Sequence, residues 1–595
     1  MYQSFAVTAQ PEQGPPRLSA LREEMTREGL DGFLIPRADA HQGEYVSRHD
    51  ERLSWLTGFT GSAGFCAALQ NIAGVFIDGR YRTQVKEQVA EDFTPVPWPD
   101  VNLADWLKDN LKAGKVGFDP WLHTVAEIDK ASLALEGTGI SLARCDNLVD
   151  RIWEDQPAPP MNKVVAHPLE FAGESAGSKI ARLATDLQES GQTAAIITLP
   201  DSIMWLLNIR GTDIAHIPVA HGFAILHADA RVDLFMAAEK LKGLEDHFGP
   251  EVALKDPASF LNRLSDLDGP VRINNATVPQ KVADVLADKA VDGDEPCALP
   301  KACKNTAEIE GAVQAHLRDG AAMVDLLAWL DNQTPGSLTE IDVVKKLETC
   351  RRKDNALRDI SFETISGTGP HGAIMHYRVT EETNATLEDG QILVLDSGGQ
   401  YLDGTTDITR TIGIGDVDAE KKAAFTRVLQ GMIAMSRLLW PVGLAGRDIE
   451  AIGRMPLWLA GQDFNHGLGH GVGTYLSVHE GPQRLSRVSA VPLAPGMILS
   501  NEPGYYREGA FGIRIENLIV VQEAQPLPTS DPERAFLSWR TLTYVPIDRN
   551  LILPDMLTAD ERAWLNAYHA DVAKKIRPRV GKAAQVWLDA ATAPL

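Results

Sequence analysis

The chain has 595 residues, room for roughly three or four domains, each with its own core. Hydrophobic residues make up 44% and charged residues 23%, the balance of a soluble globular protein. The 57 Lys+Arg against 81 Asp+Glu leave a formal net charge of −24, which argues against a nucleic-acid binder and is the balance of a soluble surface. Cys66, Cys145, Cys297, Cys303 and Cys350 are scattered and form no CxxC pair. Zinc ribbons and dithiol redox motifs are therefore not expected, and inert thiols in a reducing compartment are. The first residues lack a basic stretch followed by an apolar one, and no run of about 18 apolar residues occurs. The expectation is a cytoplasmic protein without a membrane span.

Residues 1–16 are polar and Pro-rich, and read as poorly ordered or strapped to the surface. A helix is expected from near Leu18. Two short apolar runs, Gly32-Phe33-Leu34-Ile35-Pro36 and Gly74-Val75-Phe76-Ile77-Asp78, have the form of buried strands in an α/β module. This module ends near residue 150, with PAPP at 157–160 as a linker. The plan then recurs. Ala194 to Pro200 matches the run that ends at Pro36, and Trp205-Leu206 echoes Trp55-Leu56. Two echoes in the same order point to a duplicated module.

A third segment starts near residue 304, where Val313, Leu317, Val324 and Leu327 keep helical spacing. A second helix follows Asp418 as N-cap, carries Phe425, Val428, Leu429, Met432, Met435 and Leu439 inward, and stops before Pro441. Thr558 to Glu561 has the form of a capping box ahead of a C-terminal helix. These stripes read as packing.

The chemistry lies in 371–516. Ile392-Leu393-Val394-Leu395 is a buried run ending on Asp396, and Asp407 opens the next alternating stretch across a turn-rich connection. An aspartate directly after four apolar residues is costly unless paired or bound to a metal. His466, His470 and His479 fall within fourteen residues. Glycines alternate around the first two, which disfavours a helix and lets backbone approach closely. A further apolar run ends on Glu502. In Phe511 to Val521, Arg514 and Glu516 share one face of a strand and Ile513 and Ile515 the other. A salt-bridged core pair is the plain reading of that last segment taken alone. Four carboxylates and one imidazole in one pocket, however, cannot all stay ionised without cations. Two divalent ions would nearly cancel the charge, and oxygen-rich ligation favours manganese, cobalt or iron.

The motifs DSG…DGTTDITRT, HGLGHGVG…VHEGP, NEPGYY and FGIRIEN resemble the pita-bread metallopeptidases, and among them the Xaa-Pro aminopeptidases of the long, three-domain cytosolic type. IPRADAHQGEYVSRHDERLSWLTGFTGSAG, FIDGRY, WLLNIRGTDIAHIPV, LTYVPID and WLNAYH extend the resemblance over most of the chain. It implies an α/β (α+β) protein: a creatinase-like domain at 1–155, a second at 156–303, and a pita-bread catalytic domain with a C-terminal extension at 304–595. It implies that Asp396, Asp407, His470, Glu502 and Glu516 bind two manganese ions that share a hydroxide, and that Glu502 also handles its proton. His376 and His479 would contact the scissile carbonyl and the tetrahedral intermediate. His466, Tyr506 and Arg514 would shape a pocket for the proline ring, with Arg80 near the site. The implied reaction removes the N-terminal residue from peptides with proline second, and the implied state is a homodimer. A dipeptide-cleaving prolidase, a metal-free creatinase-like hydrolase and a non-catalytic binding module on the same fold are the alternatives.

Overall fold

The computed structural model describes residues 1–531 and 533–595. The chain divides into two compact units, Thr8–Ala298 and a second formed by Leu299–Leu595 together with Met1–Val7.

The first unit holds two six-stranded mixed sheets with one plan. In the first, the order is Phe93–Pro97, Ala73–Ile77, Phe65–Leu69, Gly32–Pro36, Gly114–Phe118, Ile140–Arg144. In the second it is Val252–Lys255, Val232–Phe235, Phe223–His227, Ala194–Ile197, Val271–Ile273, Ala290–Asp292. Both sheets pair their strands, in that order, parallel, antiparallel, antiparallel, parallel and parallel. The echo in the sequence is thus a repeated topology. Each Trp-Leu pair sits on a short helix after the first strand of its sheet, Arg52–Thr57 and Pro200–Leu206. The runs around Leu34 and Ile196 are apolar throughout because both sheet faces are covered.

In the second unit, the helix Thr306–Leu330 is capped by Asn305 and buries Val313, Leu317, Val324 and Leu327, as the spacing predicts. The helix Ala419–Ser436 starts at Asp418 but stops short of the predicted end, and Leu439 is 39% exposed rather than core. Its last turn is tied off by the Arg437 backbone N–H, which donates to Ile433 and Met435. The helix Ala559–Ile576 carries the predicted capping box at Thr558 and Glu561. Two antiparallel sheets carry the candidate site. One places Ile392–Ser397 between Ile365–Thr368 and Ile408–Gly413. The other has six strands and includes Gly469–Gly471, Ile498–Asn501 and Asn517–Glu523.

The N-terminal tail is not loose. Residues 11–13 form one 3₁₀ turn, the helix Gly14–Arg27 begins earlier than predicted, and Gln3 and Phe5 are buried against the second unit. Among the described residues, no helix is long and apolar enough to cross a membrane.

Candidate metal centre

Strand ends aim the acids inward. Asp396 lies in Ile392–Ser397 opposite Thr409, and Asp407 directly precedes Ile408–Gly413. His470 is the middle residue of Gly469–Gly471. Glu502 follows the strand ending at Asn501, and Glu516 sits in the break between Phe511–Arg514 and Asn517–Glu523. Ile513 and Ile515 point the other way into the core, fully buried. The glycine at 469 is required by close approach: a Cβ there would lie 1.9 Å from the Ser500 carbonyl oxygen. That contact lets the Ser500 hydroxyl accept from the His470 backbone N–H at 2.9 Å while donating to Glu502 at 3.1 Å.

Donor atoms of Asp407, His470 and Glu516 all lie within 4.8 Å of one another. His470 Nε2 is 3.5 Å from Asp407 and 3.4 Å from Glu502. Burial pushes the Asp407 carboxyl well above the usual carboxylate range, and the charges of Asp396 and Glu502 push it further. Glu516 is raised in the same way, first by burial and then by Asp407, Asp396 and Glu502. Glu502 is raised by burial, with His470 and Arg514 acting against the shift. One oxygen each of Asp396, Asp407 and Glu516 is buried with no hydrogen-bond partner. Unanswered buried carboxylate oxygens beside an imidazole are the donor set that divalent cations take, and these residues fit two of them.

Arg514 ties this centre to its neighbours. It donates to Asp396 at 2.6 Å, to the Tyr506 hydroxyl at 2.7 Å and to the Met375 carbonyl at 3.3 Å. The plain reading of an Arg514–Glu516 core pair does not hold; Glu516 accepts from Thr409 at 2.8 Å instead. Burial pushes the Tyr506 phenol up to about 12, so it stays protonated, 2.9 Å from His466 Nε2. His479 packs on His470 with ring centroids 4.3 Å apart. His376 follows Met375 on the segment that Arg514 grips. Arg80 belongs to the other compact unit, where it pairs with Asp78 at 2.6 Å.

Three supporting groups escaped the sequence reading. Glu340 is fully buried and accepts from His371, from the Tyr377 hydroxyl and from the backbone N–H of Thr368 and Ala385. Arg454 donates to the carbonyls of Phe464 and His466, which orients the His466 loop. Glu480, next to His479, is paired with Lys301 at 2.8 Å and with Lys304. A lone charge gives no local signal of partners that lie elsewhere along the chain. A second group of possible donors, Asp39, Asp50 and His221, lies in the first unit. There Asp39 faces His221 at 3.2 Å and Asp50 faces Arg52 at 3.0 Å, so its charges are answered from within.

The chain is 38% identical over 601 residues to a probable Xaa-Pro aminopeptidase P of Coccidioides posadasii, covering 96% of this chain and 92% of that one. It belongs to the Xaa-Pro aminopeptidase P family. The family's parts match in order. Residues 17–152 and 155–308 match creatinase/prolidase N-terminal domains, 310–523 match metallopeptidase family M24, and 535–595 match the C-terminal region of that peptidase. All five acid and imidazole positions fall inside 310–523. Aminopeptidase P1 of Lotus japonicus is 35% identical, covering 97% of this chain and 99% of that one. Among solved structures, a cytosolic X-prolyl aminopeptidase of Caenorhabditis elegans with a di-nuclear active site superposes with a TM-score of 0.93 at 32% identity. It covers 98% of this chain and 99% of that chain.

Proposed function

We propose that the chain is a manganese-dependent aminopeptidase that removes the N-terminal residue from peptides with proline in second position. The observation that carries this is the gathering of Asp396, Asp407, Glu502 and Glu516 around His470, with three buried carboxylate oxygens left without partners. Those five residues would hold two divalent ions, which supply a Lewis acid for a carbonyl and lower the pKa of a water.

The chain's own residues divide the remaining work. Glu502, already held by Ser500, is placed to take a proton from the attacking water and pass it toward the proline nitrogen. His376 and His479 donate to the scissile carbonyl oxygen as negative charge builds there. His466, Tyr506 and Arg514, linked hydrogen bond to hydrogen bond, wall the pocket for the proline ring. A Xaa-Pro bond has no N–H to offer, so a shaped wall replaces the donor contact that other peptides provide.

A homodimer and a cytosolic location complete the reading. Met455, Trp458 and Leu459 expose 51%, 42% and 83% of their surface at one end of the helix Gly446–Trp458, an apolar patch suited to a second copy. Leu459→Asp should convert a dimer to monomer in sedimentation velocity.

The decisive assay is cleavage of Arg-Pro-Pro before and after chelation, with manganese added back. Activity that survives complete metal removal rejects the dinuclear reading. Preference for a Xaa-Pro dipeptide over the tripeptide would favour a prolidase instead.

A further inference from the structure

The tail that precedes the first helix makes a set of contacts that the proposed chemistry does not explain. Along residues 3–6 burial alternates: Gln3 and Phe5 are buried, Ser4 and Ala6 exposed. Gln3 exchanges two hydrogen bonds with the backbone of Thr364, its amide donating to the carbonyl at 3.2 Å and accepting from the N–H at 2.8 Å. Phe5 packs into a small core with Ile341, Val344, Ile365, Tyr377 and Val379. Its carbonyl accepts from the Glu381 N–H at 2.9 Å. Arg378 reaches back to the carbonyls of Ser4 and Ala6, at 3.0 and 2.9 Å.

The hydrogen bonds of the tail fall at two places, Thr364 and the stretch from Arg378 to Glu381. Thr364 precedes Ile365, the residue paired across the sheet with Asp396. Arg378 and Glu381 follow His376. The tail thus bridges the two ends of the 364–381 excursion, whose middle bears His376 and Met375, the latter held by Arg514.

We infer that residues Gln3–Ala6 form a clasp that positions the His376 segment against the metal centre for the reaction. The inference rests on the aminopeptidase reading above. Gln3 and Phe5 are positioning residues; neither touches substrate. Small displacement of a group that must meet a developing oxyanion costs turnover far more than binding.

The test uses the full chain loaded with manganese and Arg-Pro-Pro as substrate. Phe5→Ala should lower kcat about tenfold with KM changed less than about twofold, a sub-ångström misplacement rather than a lost binding contact. Gln3→Ala should do the same to a smaller degree, and Phe5→Leu, which refills the pocket, should restore most of the rate. Amide hydrogen exchange should quicken across 371–379 in Phe5→Ala. In a His376→Ala background, Phe5→Ala should cost almost nothing further, because the group it positions is gone. Wild-type kcat in both Phe5→Ala and Gln3→Ala overturns the clasp. So does an undiminished loss in the His376→Ala background, which would mean that the tail acts on the fold at large. Wild-type turnover in His376→Ala alone would instead overturn the assignment of His376, and the clasp with it.

Discussion

The catalytic unit buries acids in two different ways. Glu480 is fully buried and flanked by Lys301 and Lys304, and Asp319 is fully buried and gripped twice by Arg351 at 2.6 and 3.0 Å. Each acid there meets at least one cation of the chain. At the candidate site the direct ion pairs are fewer than the four carboxylates need: Arg514 is committed to Asp396, and the His470 imidazole faces Asp407 and Glu502. Glu480 and Asp319 are stabilised by the chain itself. The site is a deficit of positive charge that folding leaves open, and such a deficit is resolved by protons or by ions from outside.

Replacing one acid in each region should therefore give opposite results. Asp407→Asn removes a proposed ligand, and turnover of Arg-Pro-Pro should fall well over a hundredfold, beyond what losing a supporting contact to a ligand costs. Yet the metal-free protein should unfold at the same or a higher urea concentration, since a repelling charge has been taken away. Glu480→Gln should do the reverse to stability. It removes the carboxylate charge that two buried ammonium groups share, and breaking a buried ion pair costs about 3–5 kcal/mol. If the metal-free Asp407→Asn protein is the less stable of the two, the distinction drawn between the regions is wrong.

Much of this contrast was legible in the sequence, and the illegible part has a physical cause. Asp396 and Glu502 end apolar runs and Glu516 interrupts an apolar-alternating strand, so their cost of burial is visible without a structure, and Asp407 is marked by opening the next alternating stretch. The repeated α/β plan was visible because buried strands repeat their composition. Glu480 and Asp319 were not visible, since their partners are 176 and 32 residues away along the chain and no periodicity links them. The clasp was missed for the same reason: Gln3 and Thr364 are 361 residues apart. A polar tail carries no pattern that says what it touches. The premature end of the helix before Arg437 was missed because Leu439 fits the helical period but lies past the point where the backbone turns away.

Adding manganese should sharpen the contrast further. Ions that bind only the folded site stabilise it by about 4 kcal/mol when free metal is a thousand times its dissociation constant. The rise in unfolding midpoint should appear in the wild type and in Glu480→Gln, and should shrink strongly in Asp407→Asn. A rise of equal size in all three, followed by calorimetry, would place the bound ions elsewhere.

Burial has a third outcome, which is neutrality. His123 in the first unit is buried against Phe118, its Nε2 has no hydrogen-bond partner, and burial lowers its pKa to about 4. The unfolded chain titrates near 6.5 and so binds the proton first as pH falls. Stability contributed by the neutral ring is intact above about 6.5 and is lost between there and about 4. A shift of this size corresponds to about 3 kcal/mol at most. His123→Leu should flatten the loss of stability between pH 6.5 and 4 without changing the response to manganese, because the two effects arise in different units. Urea midpoints across that range, with and without metal, separate them. A pH profile that His123→Leu leaves untouched would mean that the ring takes up its proton while still folded.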